Sequence, residues 1–120
     1  MQIVVYGIPN CDTVKKARTW LSEQGHAHRF HDFKKDGIDA ARLETWLAQV
    51  PLETLLNRRG TTWRGLSDGQ KAAAEQVAGA IALMREKPSL IKRPVLELNG
   101  QVRAVGFDAA DYTAKLARAK

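Results

Sequence analysis

The stretch "KRPVLELNGQVRAV", residues 92–105, carries the strongest local structural signal in the sequence. Two apolar, β-branched runs flank Asn99-Gly100, a pair that favours the two-residue hairpin turn because both of its central positions take positive φ. Two antiparallel strands are predicted on either side. Just beyond them, "DAADYTAKLARA" (residues 108–119) reads as a helix. Asp108 is its cap, and Lys115, Arg118 and Lys120 lie near its C-terminal end, where cations suit the dipole.

The other end of the chain reads as strand, turn, helix, strand. "QIVVY" (2–6) is β-branched and aromatic, and "GIPN" (7–10) is a turn. A helix follows from Asp12 or Thr13, either of which can cap it, with Val14, Ala17 and Leu21 on one face and Gly25 as the stop. "HAHRFHDF" (26–33) reads as a second strand and "KKDG" as the next turn. Two strands joined through a helix should run parallel, and the C-terminal hairpin should complete the same sheet.

Between these halves the pattern is helical. Ile38 to Val50 carries Leu43, Trp46, Leu47 and Val50 on one face and stops at Pro51, and a short piece around Leu52, Leu55 and Leu56 follows. "NRRGTTWRGLSDG" (57–69) is a basic connector without a period and a candidate functional loop. "QKAAAEQVAGAIALMREK" (70–87) is one long helix, or two broken near Gly79, ended by Pro88. The order β-α-β, helices, β-β-α predicts an α/β, thioredoxin-like fold with a four-stranded mixed sheet. It forms one domain over residues 1–120, with a helical insertion at about 38–90.

The composition narrows the setting. The chain has 120 residues, 44% of them hydrophobic, enough for one core, and its single cysteine cannot form an internal disulfide. A reducing, cytoplasmic location is expected, with no signal peptide and no apolar run long enough to span a membrane. Nineteen basic against thirteen acidic residues give a net charge of +6, which favours anionic partners. The basic residues form only the short pairs Lys15-Lys16, Lys34-Lys35 and Arg58-Arg59, which argues against a nucleic-acid stripe and suits a solvated basic surface equally well. His26, His28 and His31 would fall on both faces of a strand with no ligand partners at suitable spacing, so no metal site is expected. Trp20, Trp46 and Trp63 sit in separate elements and read as packing residues.

Cys11 is the chemical question. At the start of a helix, free backbone N–H groups and the positive end of the dipole stabilise a thiolate. A free cysteine is also commonly just a small buried apolar residue. The flanking "GIPNCD" favours the nucleophile, since Gly, Pro, Asn and Asp belong in an exposed turn.

"YGIPNCDTVKKA" (6–17), "LLNRRGTTWR" (55–64), "REKPSLIKRPVL" (85–96) and "VGFDAADY" (105–112) together resemble the glutaredoxin-coupled arsenate reductase family of thioredoxin-like proteins, which includes the Spx regulators. Within it, the chain is similar to the small glutathione-dependent thiol reductases. The resemblance runs nearly end to end. It implies Cys11 as the nucleophile, Asn10, Arg59, Arg93 and Pro94 as substrate-binding residues, and a cis peptide at Pro94. It further implies a monomeric oxidoreductase with glutathione as co-substrate, glutaredoxin as a partner, and an oxidised thiol or small oxyanion as substrate. An Spx-like contact with RNA polymerase is the alternative, and true arsenate reduction the third reading.

The departures bear on substrate. Of the three arginines of the arsenate reductases, the first aligns near Asn57, with Arg58 and Arg59 just after it, and the third aligns at Gly106. An arsenate dianion would lack the forked donors it needs. Val14 stands three residues after Cys11, so there is no Cys-x-x-Cys pair and the resolving thiol must come from outside.

Overall fold

The computed structural model describes residues 2–117. They divide into two compact units, one formed by the residues up to Asp36 with those from Arg93 on, the other by Gly37–Lys92.

The first unit holds β1 (Ile3–Gly7), α1 (Asp12–Glu23), β2 (Arg29–Asp32) and the single turn α2 (Phe33–Asp36). After the second unit the chain returns as β3 (Val95–Leu98), β4 (Gln101–Val105) and α8 (Ala109–Ala117). The strands form one mixed sheet in the order β2-β1-β3-β4, with β1 and β2 parallel and β3 antiparallel to both β1 and β4. The turn between β3 and β4 is the expected one: Asn99 has φ 52 and Gly100 φ 82. It is also tied to the start of β1, since the Asn99 N–H donates to the Gln2 carbonyl (2.8 Å) and the Gln2 N–H to Asn99 Oδ1 (2.9 Å).

Alternation along the strands builds the core. Ile3, Val5, Leu96, Leu98 and Ala104 pack with Ala17 and Leu21 of α1 and with Tyr112 and Leu116 of α8. Burial of these side chains, each worth about 1.5–3 kcal/mol when a large aliphatic is fully covered, is what holds both helices to the sheet. The neighbouring strand positions carry a buried polar pair: the Tyr6 hydroxyl donates to a Glu97 carboxylate oxygen at 2.9 Å. A carboxylate at that depth requires such a donor.

Three local readings change in this unit. Helix α1 begins at Asp12, within the expected start, but its N-cap residue is Cys11 in place of Asp12 or Thr13. Strand β2 is shorter than "HAHRFHDF", because pairing with β1 begins only at Arg29 opposite Val4, which leaves His26 and His28 in the connection. Lys34, Lys35 and Asp36 belong to α2 and only Gly37, at φ 68, makes a turn. Asp108 caps α8 as expected, its carboxylate accepting from the Asp111 N–H (2.9 Å), and Lys115 pairs with Asp111 (2.9 Å). Arg118 and Lys120 lie outside the described residues.

The second unit is helical: α3 (Ala40–Leu47), α4 (Leu52–Leu55), α5 (Thr61–Arg64), α6 (Asp68–Ala73), α7 (Val77–Glu86) and a 3-10 turn at Pro88–Leu90. Asp39 trims the start of α3 by accepting from the Arg42 N–H at 2.7 Å. Leu43 and Trp46 are fully buried on its inner face. The connector 57–69 is more ordered than its lack of period suggests, containing α5 and a capping box in which Ser67 and Gln70 bond reciprocally at the start of α6. The alanine-rich run is two helices, but they part at residues 74–76. Gly79 lies inside α7, where a Cβ would collide with the Ala73 carbonyl oxygen, so its role is close approach to the end of α6 and not helix breaking. Trp63 is half-buried under Arg58, whose guanidinium sits 5.5 Å from the ring centre. Among the described residues no helix is long and apolar enough to cross a membrane.

Candidate functional site

The register of the sheet brings the key turns to one end. Tyr6 stands opposite Val95, so the chain leaving β1 at Gly7 and the chain entering β3 from Pro94 meet there. Val105 also faces Val95, so β4 leaves at the same end. The next residue, Gly106, donates its N–H to the Pro94 carbonyl at 2.8 Å.

Cys11 reaches this end by a short route. Three residues separate it from β1, and Gly7 permits the tight return of α1: a Cβ there would lie 2.7 Å from Val14 Cγ2. Val14 is buried, which anchors the first turn of the helix against the strand end. Cys11 is half-buried and has extended backbone geometry (φ −116, ψ 120). Its carbonyl accepts the first helical bond from the Lys15 N–H (2.9 Å), while its side chain makes no capping bond. A sulfur atom thus occupies the position where an N-cap oxygen would normally bond backbone amides. Asn10 is exposed beside it. An open depression of about 520 Å³ follows the surface of α1 from Pro9 and Val14 past Lys15 and Arg18.

Arg93 and Pro94 precede β3 at this end. Their peptide bond is cis, and Pro94 is buried. Arg93 is half-buried with its Nε shielded from water, so what exposure the side chain keeps lies on its other atoms. Arg59 belongs to the helical unit, where it is exposed and its N–H donates to Asn57 Oδ1 at 3.1 Å. Asn57 is thereby engaged in shaping the loop, its own N–H donating to the Leu90 carbonyl at 2.7 Å.

The histidines are absorbed structurally. His28 Nε2 lies 3.4 Å from Arg18 Nε and its Nδ1 3.2 Å from the His26 carbonyl, so both ring nitrogens are engaged within the fold. His31 packs against the Tyr6 ring at 4.8 Å. Among the described residues no group of His, Cys, Asp or Glu could hold a metal ion.

One residue of this end went unmarked in the sequence. The Tyr112 hydroxyl donates to the Gly106 carbonyl at 2.7 Å, and its ring packs edge-on against Phe107 and Trp20. The only local signal was a tyrosine on the buried face of the last helix, where its hydroxyl would need a partner. Burial first, and then the nearby negative charge of Asp111, raise its pKa well above the ordinary tyrosine value. The sign follows directly. The folded state favours the neutral phenol, so Tyr112 contributes its full stability below about pH 10 and loses it as pH climbs past the unfolded value. Denaturant midpoints should therefore fall with rising pH above about 10, and should fall less steeply in Tyr112→Phe; parallel profiles would count against this origin.

A mixed sheet with a parallel β-α-β half, an antiparallel hairpin half, and a cysteine at the first helix start at the same sheet end as Pro94 defines a thioredoxin-like protein. The chain belongs to the ArsC family, whose model matches residues 6–115. It is 40% identical over 115 residues to an uncharacterized protein of Haemophilus influenzae, covering 96% of this chain and 99% of that one. Among solved structures it superposes on the YffB protein with TM-score 0.89 and 53% identity, covering 95% of this chain and 98% of that one. It likewise matches an arsenate reductase (ArsC) related protein from Brucella melitensis, with TM-score 0.75 and 49% identity, over 95% and 93% of the two chains.

Proposed function

We propose that this protein is a glutathione-dependent thiol oxidoreductase with Cys11 as its sole nucleophile. The observation that carries the reading is a half-exposed lone cysteine, uncapped at the start of α1, at the sheet end shared with Arg93 and Pro94. The Cys11 thiolate attacks the glutathionyl sulfur of a mixed disulfide, forming the Cys11–glutathione disulfide and expelling the substrate thiolate. A second glutathione thiolate then attacks the glutathionyl sulfur, releasing glutathione disulfide and restoring Cys11. One glutathione thiol thereby converts one mixed disulfide into the free substrate thiol and glutathione disulfide. Arg93 and Lys15 offer cations for the carboxylates of glutathione, and Asn10 an exposed amide.

Arsenate fits less well. At Gly106, where the family's third arginine would align, φ is +93, a conformation L side chains rarely adopt. A regulatory role through RNA polymerase rests on the exposed basic residues of the helical unit and would need no thiol chemistry.

Intact-mass spectrometry tests the reading. Native wild type treated with glutathione disulfide should gain one glutathionyl group and lose it on adding reduced glutathione. Native protein that stays unmodified while the denatured chain reacts readily would make Cys11 a structural residue and sink the proposal.

A further inference from the structure

We infer that Tyr112 is a positioning residue, holding the Pro94 turn in place for the thiol substrate through the backbone of Gly106. The inference rests on the glutathione reading of Cys11. Its observations are two hydrogen bonds in series: Tyr112 hydroxyl to Gly106 carbonyl (2.7 Å) and Gly106 N–H to Pro94 carbonyl (2.8 Å). They meet at Gly106, which has φ +93 and at which an added Cβ would meet no atom within 4 Å. A glycine free of side-chain contacts is the most conformationally permissive link a chain can have, and here it directly follows β4 and leads to α8. The rigid element is Tyr112. Its ring is fully buried in the core between the sheet and α8, T-shaped against Phe107 (4.9 Å) and Trp20 (5.8 Å), with only the hydroxyl reaching toward the turn.

Tyr112 thus ties the core, through its hydroxyl, to the backbone bond between Gly106 and Pro94. The phenol stays protonated, and so remains a donor, throughout the neutral range. What it orders is the binding half of the site, Arg93-Pro94, while the nucleophile stands on a different element, α1. Loss of the hydroxyl should loosen substrate capture and leave the intrinsic reactivity of Cys11 alone.

Tyr112→Phe separates these effects, because it keeps the ring and its packing. The rate of Cys11 glutathionylation should saturate at a glutathione disulfide concentration about five- to tenfold higher than in wild type, with the maximal rate preserved. Alkylation by iodoacetamide, which needs no binding turn, should be unchanged. The Gly106 amide should exchange with solvent faster in the variant by a similar factor. If half-saturation matches wild type, or if alkylation and glutathionylation shift together, Tyr112 is a core residue only and the inference is overturned. Wild type that takes up no glutathione at all would instead remove the functional reading on which it stands.

Discussion

Cys11→Ser is expected to take up no glutathione under conditions that convert wild type fully to the single adduct. The chain has no other cysteine, and a serine hydroxyl is not a nucleophile at neutral pH without a base beside it. The same change should not harm the fold. Cys11 is the N-cap residue of α1 and makes no side-chain capping bond, whereas serine is among the preferred residues there. A gain of up to about 1 kcal/mol in unfolding free energy is expected, since an N-cap oxygen would satisfy an amide that the sulfur leaves to solvent. Loss of chemistry together with equal or higher stability is the signature of a position kept for reactivity. A variant markedly less stable than wild type, measured by denaturant unfolding, would mean that the sulfur is a packing element and that the N-cap geometry has been misread.

How much of this was legible in the residues depended on how local the cause was. The hairpin was readable because Asn99-Gly100 carries its own conformational preference, and the structure returns φ 52 and 82 at these two positions. The helix α1 and its start at Asp12 were readable from Val14, Ala17 and Leu21, but its cap was not. Asp12 and Thr13 are ordinary capping residues, whereas the N-cap is Cys11, and the close fit of Val14 on Gly7 is a tertiary contact without a sequence signal. Gly79 misled for the same reason: a glycine in an alanine-rich run suggests a break, but its function is contact with Ala73, which only the tertiary arrangement reveals. The connector 57–69 lacked a hydrophobic period because α5 is a single turn, too short to show one. The bond between Tyr112 and Gly106 has no sequence signature at all, since a tyrosine on a buried helix face announces that its hydroxyl needs a partner without saying which.

Arg93→Ala should slow glutathionylation of Cys11 at subsaturating glutathione disulfide by roughly tenfold to over a hundredfold, the range that follows from losing a charge-assisted contact worth about 1.5–3 kcal/mol. The effect should depend on the charge of the substrate. Glutathione disulfide carries carboxylates, so an arginine at the binding turn attracts it, whereas a neutral disulfide such as bis(hydroxyethyl) disulfide gains nothing from that contact and should react with both proteins at similar rates. Arg93→Lys should recover part of the loss, because an ammonium keeps the charge but not the forked geometry. Raising ionic strength should narrow the gap only modestly, since Arg93 is half-buried with its Nε shielded from water, and a partly covered charge is screened less than one on the open surface. Equal slowing with charged and neutral disulfides would mean that the substitution has disturbed the turn bearing Pro94 and not a carboxylate anchor. Unchanged rates with both would leave Cys11 as the nucleophile and move the recognition of glutathione to other cations, with Lys15 the next to replace.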